Sequence, residues 1–184
     1  KLELATELLN SGANPNSFDM NGVTILMDAI RGQSCDVVKL LLSYGANPNV
    51  QEVNGKNCYH EAALSGNKEI INIIRDFGVL TRFDTFLTLS RDKSGNTPFS
   101  IVMNKNVDVI KCVLGNNTSI TDSDGNSPIH IVVNSNGSTK LLEFLIEEGY
   151  PIDTRNSKGY TALNYAIEKN DLKMALILLQ NGAN

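Results

Sequence analysis

Apolar residues in this chain come in short bursts set apart by polar breaks, and the bursts alternate between two kinds. One kind is brief, as in Leu26–Arg31 and Tyr59–Ser65; the other follows a polar break and is denser, as in Val37–Ser43 and Leu141–Glu147. The lengths and spacings predict pairs of short helices. The denser member carries too many apolar residues for a helix that keeps one face in water, so the second helices are expected to stack on one another.

The pairs recur on a common template. Asp19–Thr24, Glu52–Asn57, Asp92–Thr97, Asp122–Ser127 and Asn156–Thr161 each run from an acidic or Asn residue through two variable positions to Gly, one further variable position and a hydroxyl or amide residue. Their glycines, at 22, 55, 95, 125 and 159, are separated by 33, 40, 30 and 34 residues. A second series, Leu-Leu-x-x-Gly-Ala-Asn, occurs at 8–14, 41–47 and 178–184, with looser relatives at 73–78 and 145–149. The fourth-position Gly suits a tight turn that needs positive φ. Two residues on, Thr24, Asn57, Thr97, Ser127 and Thr161 are side chains that accept from the free N–H groups of a helix's first turn. Pro98 and Pro128 follow two of these caps, at the first helical position, where a missing N–H costs nothing. The second helices are expected to end at Gly12, Gly45, Gly78, Gly149 and Gly182, with Asn117 holding the left-handed place in the fourth block.

These residues make the chain similar to ankyrin-repeat proteins, whose consensus runs Asp-x-x-Gly-x-Thr-Pro-Leu-His-x-Ala-Ala, a second helix, then Leu-Leu-x-x-Gly-Ala. Asp92–Ser100 and Asp122–Val133 match its first half best, and Val37–Asn49 its second. The resemblance implies an all-α solenoid of stacked helix-turn-helix units joined by β-hairpin-like turns. The whole of 1–184 reads as one domain, with the second half of a leading repeat at 1–18 and repeats at 19–51, 52–91, 92–121, 122–155 and 156–184. The 92–121 block is about three residues short, which the sequence places around Gly115–Thr121, and Ser135–Thr139 holds one extra residue. The 52–91 unit carries about seven more than the template near Leu80–Arg91. Lys1–Leu9 begins inside a second helix and the final helix, Leu172–Leu179, presents Ala175, Leu178 and Leu179 with no polar capping repeat after it, so a fragment of a longer array or multidomain protein is expected.

Composition narrows the function. With 184 residues, a mass of 20.0 kDa, 41% apolar and 20% charged residues, the chain can fill one core. A net charge of -4 and a pI near 5.2 disfavour nucleic acid as partner, and no apolar run is long enough for a membrane span. Three cysteines without Cys-x-x-Cys spacing argue against a disulfide framework or a zinc site and fit a reducing, cytoplasmic setting. His60 and His130 lie two repeats apart, ~20 Å at the spacing of packed helices, too far to share a metal. The resemblance gives this His a structural role, linking neighbouring turns. Cys35, Cys58 and Cys112 occupy three different template positions. No enzyme and no cofactor is expected.

Recognition remains. By the resemblance, the turn residues around each Gly and the exposed end of each first helix line a concave face: Met20, Asn21, Val23 and Arg31; Val53, Lys56 and Leu64; Lys93, Asn96 and Asn104; Asp124, Asn126 and Asn134; Lys158, Tyr160 and Glu168. Its charges are mixed. Phe83 and Phe86, two of the six phenylalanines, lie in the long unit and either fold back onto the array or stand out as aromatic anchors. The expected function is a scaffold that binds another protein. The chain is expected to be a monomer, able to associate end to end through exposed terminal repeats. The alternative is a regulatory or spacer segment attached to an enzyme outside these residues.

Overall fold

The structure, a computed structural model, describes residues 2–81 and 89–184. Among them run α1 (Leu2–Asn10), α2 (Ile25–Arg31), α3 (Cys35–Ser43), α4 (Cys58–Ser65), α5 (Lys68–Thr81), α6 (Pro98–Val102), α7 (Val107–Leu114), α8 (Pro128–Asn134), α9 (Thr139–Glu147), α10 (Ala162–Glu168) and α11 (Leu172–Gln180). The even-numbered helices form an inner row and the odd-numbered ones an outer row. Each even helix except the last packs on the next even helix and, like the last, on the odd helix that follows it. The one isolated β-bridge among the described residues, Phe18 with Thr24, belongs to the first hairpin-like turn.

The expected caps start the inner helices. Thr24, Thr97 and Thr161 accept from the N–H groups of Met27, Ser100 and Asn164, and Asn57 accepts from Tyr59 and His60. At Ser127 the pairing is with His130: the Ser127 hydroxyl lies 2.8 Å from His130 Nδ1, which also accepts from the Ser127 N–H at 3.2 Å. Pro98 and Pro128 are the first helical residues of α6 and α8. Between the rows runs a continuous core in which Leu26, Ile30, Ile74, Phe99, Ile129, Leu145 and Leu178 are fully buried. Burying one such side chain stabilises by ~2 kcal/mol, so the stack is held mainly by this strip.

Four details correct the sequence reading. Gly78 does not end a helix: α5 runs through it to Thr81, because Val79 and Leu80 come after it where Ala-Asn or Tyr-Pro comes after the other terminal glycines. In the 92–121 block Gly115, not Asn117, takes positive φ, with φ 64° and ψ -151°, a region essentially confined to glycine. Leu178 of the last helix is buried beneath α10 and α9, leaving Leu172, Leu176 and Leu179 exposed. Finally, the shortening of 92–121 is not confined to its end. The caps Thr97 and Asn106 are nine residues apart, whereas Thr24 and Ser34, or Thr161 and Asp171, are ten apart. The inner helix α6 has only 5 residues, and no residue between α6 and α7 adopts positive φ, unlike Gln33, Gly66, Asn136 and Asn170 in the other units.

Candidate functional site

Each hairpin turn is locked by the residue that opens its template. The Asp19 carboxylate accepts from the N–H groups of Asn21 (2.8 Å) and Val23 (2.9 Å), Asp92 from Ser94 and Asn96, Asp122 from Asp124 and Asn126, and the Asn156 amide oxygen from Lys158 and Tyr160. Glu52, one carbon longer, reaches the Lys56 N–H at 3.2 Å. The Val23 N–H leads in holding the Asp19 carboxyl below the ordinary carboxylate range. At Asp92 burial pushes upward, but the Asn96 and Ser94 donors outweigh it and the net shift is down. The acidic residues that open the hairpins are therefore spent on the turns.

Among the expected contact residues, Met20 (97% exposed), Val53, Leu64 and Tyr160 are exposed large side chains, and Asn21, Arg31, Lys93, Asn96, Asn104, Asp124, Asn134, Lys158 and Glu168 are exposed polar ones. Val23 and Lys56 are half-buried. Asn126 is a correction as to its side chain: the residue is buried at 7% exposure, donating to Asp122 Oδ2 and accepting from Asn156 Nδ2, so its amide is a strut between turns. Arg31, although exposed, is committed to a two-pronged ion pair with the buried Glu61 of the next unit, at 3.0 and 2.8 Å. Phe83 and Phe86 lie outside the described residues; Leu89, from the same long stretch, is buried in the core.

Neighbouring hairpin tips are tied by one backbone bond each: Val53 N–H to Asn21 O (2.9 Å), Lys93 N–H to Asn54 O (2.8 Å) and Ser157 N–H to Asp124 O (2.8 Å). Histidines add a second tie. His60 places Nδ1 2.7 Å from Asn57 Oδ1 and Nε2 3.2 Å from the Asn96 carbonyl; His130 places Nε2 2.9 Å from the Tyr160 carbonyl. Burial holds both imidazoles below the ordinary histidine value. This is the linking role expected for them.

Between the 92–121 and 122–155 units both ties are missing. Among the described residues no backbone bond joins the third tip to the fourth, and Ser100 stands where His60 and His130 stand in their units. A Cβ on Gly55 or Gly125 would meet the next tip's backbone at 3.0 Å, whereas one on Gly95 would meet nothing within 4 Å. Two clefts open at this seam. One, of about 190 Å³ on the inner-helix side, is bounded by Asn96, Ser100, Met103, Asn126, Ile131 and Asn134. The other, of about 170 Å³, lies between the outer helices beside Leu114, Phe144 and Tyr150. Charges bridge the seam. Arg91 reaches the buried Asp122 carboxylate at 2.6 Å, and Lys111 pairs with Glu148 at 2.7 Å while lying 5.2 Å from the centre of the Phe144 ring. Sequence reasoning missed Arg91, Ser100 and Met103 as residues lining a cleft, although Ser100 was visible as the residue that breaks the Asn57-to-His60 and Ser127-to-His130 spacing.

Among the described residues no group of His, Cys, Asp and Glu is placed to hold a metal. Cys58 is buried and its thiol pushed well above the ordinary value by that burial; burial, then Glu69, pushes Cys35 in the same direction. Neither is a ready nucleophile. No described helix is long and apolar enough to cross a membrane.

The sequence matches a family model described as ankyrin repeats (3 copies) over residues 1–84 and 99–184. No curated protein matches it. Among solved structures, the ankyrin repeat domain of Bcl-3, described as a unique member of the IkappaB protein family, is 21% identical with a TM-score of 0.77, covering 100% of this chain and 80% of that one. The ankyrin repeat protein EF0377 is 20% identical, with a TM-score of 0.67 over 97% of this chain and 96% of its own. A chain from the complex of the Bdellovibrio bacteriovorus predatory endopeptidase Bd0816 with immunity protein Bd3460 is 22% identical, with a TM-score of 0.62 over 97% and 91%. At these identities the likeness is one of fold.

Proposed function

Since the chain belongs to the ankyrin-repeat family, we propose that it is a non-catalytic module that binds another protein along its hairpin tips and inner-helix side. Ankyrin repeats generally mediate protein–protein interaction. The observation that carries the reading is a division of labour within each turn. The opening acid or Asn is consumed by backbone N–H groups, whereas the variable positions between the fixed ones, Met20, Val53, Lys93 and Lys158 among them, point outward with no bond to their own fold through their side chains. Residues that the fold does not use are free to be chosen by a partner.

A photo-crosslinking residue placed singly at Met20, Val53 and Asn134, or on the outer helices at Glu143 and Lys173, tests this in an extract of the source cells. Covalent adducts with one protein are expected from the first three positions and none from the last two. Adducts only from the outer helices would overturn the assignment of the face.

The two ends of the array carry apolar surface. Leu4 and Leu8 of α1 are exposed beside a groove of about 390 Å³ lined by Ala5, Ile25, Ala29 and Val37, and Leu172, Leu176 and Leu179 are exposed at the other end. Such patches favour association. We read the chain as a monomer in dilute solution that associates end to end as concentration rises, which light scattering across a dilution series checks. The three free thiols, set on α3, α4 and α7, accord with a reducing compartment such as the cytoplasm.

A further inference from the structure

We propose that the inner cleft at the seam between the third and fourth tips is a receptor for one histidine side chain presented by the partner protein; this rests on the protein-binding reading above. At the two junctions that carry a histidine, the chain's own imidazole fills the equivalent place, with one ring nitrogen beside the helix cap and the other at the carbonyl of the next tip. At the seam Ser100 is too short to do so. Its hydroxyl turns back on its own cap, accepting from the Thr97 N–H at 2.8 Å and donating to the Thr97 carbonyl at 2.9 Å. The carbonyl of Asn126 accepts from the Asp122 N–H at 2.9 Å, as the carbonyls of Asn96 and Tyr160 accept from Asp92 and Asn156. Those two each receive a ring nitrogen as well, and Asn126 receives none. A carbonyl oxygen has capacity for that second donor.

The cleft's shape and charge select the ligand. Its volume of about 190 Å³ far exceeds the ~15 Å³ that a single water needs. Met103 and Ile131 supply apolar walls and Asn96 and Asn134 polar edges, which suits a flat ring with apolar faces and an N–H on its rim. A carboxylate has no hydrogen to offer the Asn126 carbonyl. A lysine or arginine would bring a second positive charge beside Arg91, whose guanidinium lines the same cleft and already neutralises Asp122. A neutral imidazole avoids both conflicts and copies the contact made at the flanking junctions.

The test uses N-acetylhistidine methylamide as probe at pH 8, where its ring is neutral, with backbone amide NMR shifts of the whole chain as the readout. Saturable shifts confined to Gly95–Ser100 and Asn126–Ile131 are expected. They should be retained in Ser100→Ala, and weakened at least about tenfold in Ser100→His, where the chain's own ring takes the slot and its hydrogen bond. Ser100→Gln, which fills the same space with an amide, provides the blocked cleft if the histidine variant does not fold. Shifts that do not saturate, that spread over the whole surface, or that persist undiminished in the blocked variant overturn the proposal. A probe that fails to bind removes the receptor and leaves the crosslinking result, and with it the binding-module reading, untouched.

Discussion

Between the second and third units the tips are joined by a 2.8 Å backbone bond, His60 spans from its cap to the Asn96 carbonyl, and the turns approach so closely that a Cβ on Gly55 would press on the backbone of Lys93. Between the third and fourth units, built from the same template, no backbone bond joins the tips among the described residues, Ser100 replaces the histidine, and clefts open on the inner and outer sides. The unit on one side of this junction has one residue fewer between its two helix caps and a shorter outer helix. The contrast shows that in a stacked array the quality of each junction is a local property, set by the two units that meet there and not by the fold as a whole.

The largest expected effects lie in the core. Leu26→Ala, in the fully buried strip between the rows, should cost about 2–5 kcal/mol, and Leu114→Ala, at the seam, should fall at the low end of that range because its side chain already borders a cleft. Chemical denaturation of both decides; a Leu114→Ala cost above that of Leu26→Ala would mean that the seam is packed as tightly as the rest. Next comes the tip layer. His60→Ala should cost about 2–3 kcal/mol by removing a buried ring and its two hydrogen-bonding ends, while Ser100→Ala, at the matching position, should stay below about 1 kcal/mol. Equal losses would erase the distinction between the two junctions.

Arg91→Ala should cost about 1 kcal/mol, a figure kept small because the guanidinium is partly in water, and should leave the stability of the variant less sensitive to salt than that of the parent. Thermal melts at low and high ionic strength measure this. Acid should find the histidine-tied junctions first. The buried imidazoles have folded-state values below the ordinary 6.5, so the unfolded chain takes up protons before the folded one does. Their contribution is complete above about pH 6.5 and is lost as pH falls from there through the lower folded-state values. The melting temperature should therefore decline between pH 7 and 5, less steeply in a His60→Gln, His130→Gln double variant; an unchanged slope would show that neither ring titrates on unfolding. Smallest of all, Lys93→Ala should change stability by no more than about 0.5 kcal/mol.

Much of this architecture was legible in the residues because each turn carries several independent signals. The glycines at 22, 55, 95, 125 and 159 all adopt positive φ, and Thr24, Asn57, Thr97 and Thr161 all cap. Single signals misled. Gly78 looked like a helix end, but a glycine stops a helix only when the residues after it also leave the helical path, and Val79 and Leu80 stay on it. Asn126 occupies a variable position of the template and so read as a surface residue; only the next turn, with Asn156 where the other units have an acid, supplies the amide that draws it inside. The seam was half visible. The 30-residue spacing announced a short unit, yet which junction opens depends on how two neighbouring turns meet in space, and pattern within one unit carries no such information.

Arg91 has a further meaning when the molecule is considered as a mechanical object. A stack of units pulled from its two ends carries the same force across every junction, so it yields where the fewest bonds share the load. Among the described residues the seam is the junction without a tip-to-tip backbone or imidazole tie, and it is bridged by ion pairs of Arg91 with Asp122 and Asp124 and of Lys111 with Glu148. Water and dissolved ions compete with charges more readily than with a buried amide bond, so the compliance of the array is concentrated at one point and tuned by the ionic medium. Under such a load the array is expected to part as two segments joined by an electrostatic clasp, rather than as a uniform spring.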